Sequence, residues 1–266
     1  MWLSKIWMKP CKHCTEQERH HNQNSAVDTA EGNDPVTDFN ELCHRLAKND
    51  VSLVCLDLRD QKLQSDDAAA LASALRINEN VRMLNVGNSN LGDKGILQIL
   101  LGLKDHKSLE YLILSSNEAT NVAEFASLFV HMHSLKWLDL SNNSIRKAGA
   151  LLQAVGVHNS IELLDLSLNQ ISDGDAIGQA IRQCSTLKEL NLFANYVDND
   201  GAEAIAASEL GRLVKLNLGY NRIGDAGAKI LLTASTKSPT MKEIVLTGNP
   251  CSLIESRSRM RSAYAA

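Results

Sequence analysis

One repeated segment of eleven residues limits what this chain of 266 residues can fold into. Eight copies align without gaps, and their starts are 28, 28, 26, 26, 26, 26 and 28 residues apart. The copies begin at Leu53, Val81, Leu109, Leu135, Ile161, Leu187, Leu213 and Met241. A period of this length predicts a solenoid, in which each unit buries its apolar face against its neighbours.

Each copy follows the pattern L-x-x-L-x-L-x-x-N-x-L, as in LKWLDLSNNSI from Leu135. Apolar residues such as Leu138 and Leu140 alternate with other residues, which is the period of a strand with one buried face. Residues typical of helix caps follow, such as Asp225, and small or apolar residues come next, as in 226–232. We therefore expect a strand and then a helix in every repeat, with the strands forming a parallel sheet.

A column of amides stands where each strand ends. Eight places after the start of a copy, the first two repeats carry Gln61 and Ser89. The remaining six repeats carry Asn117, Asn143, Asn169, Asn195, Asn221 and Asn249. Side-chain amides can bond turn backbone that neither a helix nor a sheet satisfies, so we interpret this column as structural.

The pattern resembles the leucine-rich-repeat family, and the long period is similar to that of its ribonuclease-inhibitor type. The resemblance covers residues 53 to about 253. It implies an α/β horseshoe of about eight repeats, with parallel strands on the concave face and helices on the convex face. It also implies a binding surface on the concave face, because the family commonly uses that face.

The chain outside the repeats divides into three parts. Phe39, Leu42 and Leu46 recur at helical spacing, so we predict a helical N-terminal cap over residues 35–52 before the repeat domain at 53–253. Residues 1–34 hold no repeat, and we expect a disordered leader there. Residues 254–266 form a C-terminal tail.

Composition indicates which classes of partner and which cellular compartments to expect. The net charge of −4 gives no field that would attract nucleic acid. No window has the roughly 18 consecutive apolar residues of a membrane span. The six cysteines are scattered, which favours a reducing interior over a disulfide framework. We expect a cytoplasmic or otherwise intracellular protein, with the cytoskeleton and the nucleus as further candidates.

Several motifs could indicate metal binding, lipidation or catalysis, but each has a structural interpretation in this chain. Cys11-Lys12-His13-Cys14 is half of a zinc site without a second cysteine pair, and lipidation of Cys11 or Cys14 is the other alternative for this leader. The pair His131 and His133 is spaced like metal ligands, but His106, His133 and His158 all lie two or three places before a repeat start, where a helix ends. No nucleophile elbow, phosphate loop or H-E-x-x-H motif occurs.

Asp139 and Asp165 are two acidic residues that occupy the same position in adjacent repeats. Paired acids can perform acid–base catalysis, but we expect an open sheet to lack the enclosed pocket that tunes them. The sequence thus predicts a protein that is no enzyme, with no cofactor, no bound metal and no small-molecule substrate.

The residues that point away from the buried face of the sheet form the candidate site. Two places into each copy, the first five repeats carry apolar side chains, and we predict that they form an exposed ridge. The predicted partner-binding residues are Met83, Tyr111, Ile113, Trp137, Asp139, Leu163, Asp165, Glu189, Phe193, Lys215 and Tyr220. The alternative is that this column packs laterally against itself and is only half exposed.

We interpret the chain as a non-catalytic scaffold that binds a protein partner through its concave face. One alternative is a GTPase activator or regulator similar to the Ran GTPase-activating protein. That family usually carries a strongly acidic tail, whereas this tail carries Arg257, Arg259 and Arg261. A further alternative is an architectural component of a cytoskeletal or ciliary assembly.

Overall fold

The computed structural model describes residues 39–252. The helices are α1 (Phe39–Ala47), α2 (Ser65–Leu75), α3 (Gly92–Gly102), α4 (Ala123–Phe129), α5 (Gly149–Gly156), α6 (Gly174–Gln183), α7 (Asn199–Ala206) and α8 (Asp225–Lys237). The strands are β1 (Cys55–Asp57), β2 (Met83–Asn85), β3 (Tyr111–Ile113), β4 (Trp137–Asp139), β5 (Leu163–Asp165), β6 (Glu189–Asn191), β7 (Lys215–Asn217) and β8 (Glu243–Val245).

All eight of these strands belong to one parallel sheet whose order follows the sequence, β1 to β8. The register places equivalent repeat positions side by side, so that Trp137 pairs with Leu163 and Asp139 pairs with Asp165. Successive helices pack against one another on the other side of the chain. This architecture confirms the predicted α/β leucine-rich-repeat solenoid. Because the strands are in register, one side-chain column runs along each position of the repeat.

The core lies between the sheet and the helices. The middle residue of each strand points into it, and Leu138 is 0% exposed. Phe125 and Phe129 of α4 fill the space above the central strands and are also buried. Burying one such leucine stabilises the fold by about 1.5–3 kcal/mol. The repeated leucines therefore account for most of the attraction that holds neighbouring repeats together.

The amide column joins each turn to the preceding repeat. Asn169 Nδ2 donates to the carbonyl oxygen of Leu140 at 3.0 Å and to that of Leu166 at 3.0 Å. Its Oδ1 accepts from Ile145 N at 3.0 Å. In the second repeat, the shorter Ser89 donates through Oγ to the Leu58 carbonyl at 3.0 Å, which keeps the link to the preceding repeat.

The polar residues near the helix starts act differently from the sequence expectation. Asp173 does cap α6, since its Oδ1 accepts from Ala176 N at 3.0 Å. Asp225, however, is already the first residue of α8, and its carboxylate accepts from Ser252 N at 2.7 Å in the next repeat. The cap assignment at this position is therefore wrong. The helix begins one residue earlier than expected, which frees the carboxylate to link repeats.

At the N-terminal end, α1 packs against α2 and buries Leu46. Phe39 and Leu42 pack against the same core with part of their surface exposed. The predicted leader at 1–34 and the tail at 254–266 lie outside the described residues. None of the helices within residues 39–252 combines the length and the apolarity that crossing a membrane requires.

Candidate protein-binding surface on the concave face

A row of apolar side chains crosses the concave side of strands β2 to β5. Met83, Tyr111, Trp137 and Leu163 are register neighbours, and we call these four residues the concave ridge. All four are half-buried, so the prediction of an exposed ridge is wrong and the lateral-packing alternative describes it. The reason is the strand spacing of about 4.8 Å, which brings large side chains into contact.

Within the ridge, Tyr111 and Trp137 form an edge-to-face pair. Their ring centroids are 6.1 Å apart and the planes meet at 75°. The Trp137 Nε1–H is buried and has no acceptor within residues 39–252. An aromatic pair in this arrangement is attractive, so the two rings hold each other in a fixed orientation on the concave face.

The row of side chains that contains the ridge continues into a disulfide-bonded cysteine at one end and into charged residues at the other. Cys55, its neighbour on β1, is disulfide-bonded, so we leave it out of the surface. On the other side, Glu189 and Lys215 continue the row on β6 and β7. Lys215 Nζ lies 3.8 Å from Glu243 of β8. The concave face is thus apolar and aromatic over the middle strands and charged over the last ones.

Beside the ridge, Asp139 and Asp165 form the acid pair on strands β4 and β5. Asp139 is 8% exposed and accepts from Ser141 N at 2.8 Å. Asp165 accepts from Ser167 N at 2.9 Å and from Asn191 Nδ2 at 2.9 Å. Each carboxylate is therefore held by the turn that follows its own strand.

Burial and the neighbouring Asp165 raise the pKa of Asp139 from its usual value to about 6. Burial also raises the pKa of Asp165. The expectation that an open sheet leaves these acids untuned is therefore wrong. The side chains above the sheet exclude enough water to disfavour two adjacent negative charges.

Ile113 occupies the same position as Asp139 on the neighbouring strand β3 and is half-buried. It separates the acid pair from Asn85 on β2, which is buried. The acid pair therefore has an aliphatic neighbour on one side and the amide of Asn191 on the other. This environment reinforces the exclusion of water from the two carboxylates.

A second apolar group, which we call the rim patch, comprises Leu168, Phe193 and Tyr220. These residues lie in the turns after β5, β6 and β7, outside the ridge. Leu168 is 48% exposed and Tyr220 is 59% exposed. The rings of Phe193 and Tyr220 are 5.1 Å apart. The structure thus separates the half-buried ridge from a patch at the sheet edge in which Leu168 and Tyr220 are exposed and Phe193 is half-buried.

The rim patch uses an unusual backbone position. The same position of every turn has a positive φ, and the residues at that position are Asp60, Asn88, Ser116, Asn142, Leu168, Ala194, Tyr220 and Gly248. Leu168 and Tyr220 have φ values of 56° and 55°. Bulky side chains disfavour this conformation, whereas Asn and Gly adopt it readily. Gly248 also lets the Tyr220 ring lie close, since a Cβ there would be 2.7 Å from that ring.

Tyr196 and Arg222 extend the edge of the sheet and were missed by the sequence reasoning. The Arg222 guanidinium lies 4.0 Å from the centroid of the Tyr196 ring, and Tyr196 is exposed. The signal was present, because these residues occupy the same repeat position 26 residues apart. Such a pair is a cation–π contact that widens the apolar edge next to the rim patch.

The histidines fit structural roles. His158 is buried, and its Nε2 lies 3.1 Å from the Phe129 carbonyl oxygen. His131 Nδ1 lies 3.4 Å from Asp105 on the surface. Within residues 39–252, no group of three or more His, Cys, Asp or Glu side chains could hold a metal ion. The Cys11–Cys14 motif lies outside the described residues.

Comparisons with known proteins agree with this geometry. A family model described as leucine-rich repeat matches residues 157–178, 183–206 and 213–231, and another matches residues 134–154. Ribonuclease inhibitor from Sus scrofa is 34% identical over 85 residues, and that from Mus musculus is 28% identical over 133 residues. These alignments cover 32% and 46% of this chain.

Two further proteins are similar. The human "NACHT, LRR and PYD domains-containing protein 13" is 25% identical over 120 residues, which is 45% of this chain. The alignments span only 12%, 19% and 28% of the human, Sus scrofa and Mus musculus proteins. Among solved structures, the tropomodulin C-terminal domain of Caenorhabditis elegans aligns with a TM-score of 0.42 and 14% identity. It covers 65% of this chain and 91% of its own.

The described residues form a solenoid of parallel strands and helices with an apolar and aromatic row on its concave side. The chain carries leucine-rich repeats, and these repeats are similar to those of ribonuclease inhibitor. Proteins of this family generally mediate protein–protein interactions.

Proposed function

We propose that this chain is a non-catalytic scaffold that binds a protein partner through its concave face. The observation that carries the proposal is the concave ridge, where aromatic side chains cover the middle of an otherwise polar sheet. Aromatic residues at the centre of an interface tend to supply most of its energy. A rigid pair such as Tyr111 and Trp137 loses little conformational entropy on binding, since both rings are already fixed.

The half-burial of the ridge is compatible with this role. A protein interface gains most from large side chains in well-packed surroundings that a partner then seals from water. The rim patch would extend the interface along the sheet edge, with Phe193 and Tyr220 as its anchors. Glu189 and Lys215 would lie at the periphery, where charges affect association rates and salt dependence more than affinity.

The alternatives kept from the sequence gain no support from the part of the chain that we describe. Neither a GTPase-activating role nor an architectural role is favoured by a particular contact or cluster within residues 39–252. The cytoplasmic localisation also stays a proposal. Cys43 and Cys184 are free thiols and Cys55 is disulfide-bonded, so these cysteines favour no single compartment.

Affinity capture with the double variant Tyr111→Ala/Trp137→Ala tests the proposal. Partners bound by the wild type should be weakened a hundredfold or more, which corresponds to a loss of roughly 3 kcal/mol. The matched control is Leu101→Ala on the convex helix α3, where the side chain is exposed. Partners retained by the concave variant and lost by the convex one would place binding on the helices.

A further inference from the structure

The acid pair differs from the other charged positions on neighbouring strands. One place before each of the strands β2 to β6, charges of opposite sign lie next to each other. Glu110 contacts Arg82 at 2.7 Å and Lys136 at 2.8 Å. Asp139 and Asp165, in contrast, are two carboxylates in direct register. No Lys, Arg or His within residues 39–252 forms an ion pair with either of them.

The fold itself does not need a negative charge at this position. The side chain at this position accepts a hydrogen bond that closes the following turn, since Asp139 Oδ1 accepts from Ser141 N, two residues further along the chain. Asn85 and Asn217 perform the same task in other repeats, accepting from Gly87 N at 3.0 Å and from Gly219 N at 3.0 Å. An amide therefore closes this turn as well as a carboxylate does. The two charges are a cost that the solenoid could avoid with asparagine.

The first repeat shows what a compensated carboxylate looks like at this position. Asp57 closes its turn and also binds the guanidinium of Arg59, with an Nη2–Oδ2 distance of 2.6 Å. The central repeats have Ser141 and Ser167 where the first repeat has Arg59. The acid pair thus has the acceptor groups for a guanidinium and no such group of its own within the described residues.

We propose that the acid pair receives an arginine side chain of the protein partner, so that the concave face selects a basic segment. The inference rests on the proposed function and specifies its partner. Charge complementarity is the main argument, since a guanidinium can bridge two adjacent carboxylates through parallel N–H groups. Trp137 and Leu163 flank the pair on the same face of the same strands, and they supply apolar surface for the aliphatic part of the arginine.

A planar guanidinium fits this surface better than an ammonium group. The Trp137 ring precedes Asp139 by two residues on β4, so both side chains point to the concave side. A cation held by Asp139 and Asp165 is therefore adjacent to an aromatic ring that can interact with it. The partner also restores neutrality to the acid pair, which the isolated chain leaves uncompensated within the described residues.

The test uses the full chain and a fluorescein-labelled peptide of alternating arginine and leucine. The matched probe replaces every arginine with citrulline, which keeps the shape and removes the charge. Fluorescence anisotropy should show that the wild type binds the arginine peptide at least tenfold more tightly. In Asp139→Asn this preference should fall below threefold.

The control is Asp57→Asn, which changes the net charge by the same amount at the compensated position. It should keep the tenfold preference, because Asp57 is already paired with Arg59. The inference is overturned if both variants lose the preference equally, since the attraction would then be general. It is also overturned if the wild type does not distinguish the peptides, or if the chain self-associates through this face and excludes both.

Failure of this inference can be separated from failure of the proposed function. If Tyr111→Ala/Trp137→Ala loses the captured partner while Asp139→Asn retains it at full affinity, the scaffold role stands and the arginine contact is wrong. If both variants retain the partner at full affinity, the concave face is not the binding site and both proposals fail.

Discussion

Two side-chain columns of the same sheet behave differently, although their residues alternate along the same short strands. The column that points into the core is leucine in the first seven strands and isoleucine in the last. The concave column changes from apolar to aromatic to charged along the row. Packing constrains the first column in every repeat, whereas the second is free to vary. The difference indicates that the core column specifies the fold, and under the proposed function the concave column would specify the partner.

The largest expected effect concerns the core column. Leu138→Ala should lower the free energy of unfolding by about 2–5 kcal/mol, because it leaves a cavity in a fully buried site. Leu163→Ala, on the next strand and the concave side, is the matched comparison and should cost about 1 kcal/mol. Denaturant unfolding measures both. Equal losses would mean that the two columns contribute alike to the core.

The amide column should behave as part of the core. Asn169→Ala removes four hydrogen bonds, which Asn169 makes with the backbone of Leu140, Leu166, Ser167 and Ile145. Because backbone groups are then left unsatisfied, we expect a loss of about 1–3 kcal/mol. The same unfolding experiment applies, with Gln153→Ala, an exposed amide on helix α5, for comparison. A loss no greater than that of the control would contradict the structural role.

The third prediction is a substitution that stabilises the folded chain, unlike the two before it. Asp139→Asn should stabilise the chain by about 1–2 kcal/mol at pH 7.5, because the folded state holds this carboxyl at a pKa of about 6, above its usual 3.8. Between pH 3.8 and about pH 6, the folded wild type binds more protons than the unfolded chain. The free energy of unfolding of the wild type therefore increases as the pH falls through this range. The advantage of the variant should therefore shrink from pH 7.5 towards pH 4.

Unfolding curves at a series of pH values check this prediction. The groups facing the pair are Ser115, which follows β3, Ser141 and Ser167 from the turns after β4 and β5, and Asn191 from β6, none of which titrates in this range. Tyr111 and Glu189 are the titratable residues of the adjacent ridge row. A variant that is less stable than the wild type at pH 7.5 would show that the charge serves the fold.

The smallest effect concerns the rim patch. Leu168→Asn places at a positive-φ position the residue that Asn142 already provides in the preceding repeat. We expect a gain of about 0.5–1 kcal/mol, because Asn tolerates this conformation better than leucine does. Thermal unfolding compared with Leu168→Ala separates the backbone effect from the loss of the side chain. A destabilised Asn variant would mean that Leu168 packs for the fold.

The sequence predicted the architecture because the repeat supplies the same information eight times. The alternation around Leu138 and Leu140 is sufficient to predict strand direction, register and the buried face. The helix starts were less predictable, since Asp225 is equally suited to capping its own helix and to bonding the next repeat. Only the relative placement of repeats distinguishes these two roles.

The candidate site was predicted as a set of residues but not as a surface. Sequence position places Trp137 and Asp139 on the concave side, yet their burial depends on lateral neighbours 26 or more residues away. The raised pKa of Asp139 likewise follows from the packing of adjacent strands. Periodicity gives the direction of a side chain, whereas its solvation is a property of the assembled sheet.

Site-specific photocrosslinking tests the central claim most directly, because it reports contact without depending on a loss of affinity. A photoreactive phenylalanine analogue replaces Leu163 on the concave ridge in one variant and Leu101 on the convex helix α3 in another. Both variants are exposed to the same captured partner. The account predicts a covalent adduct from position 163 and none from position 101. An adduct from position 101 alone would contradict it.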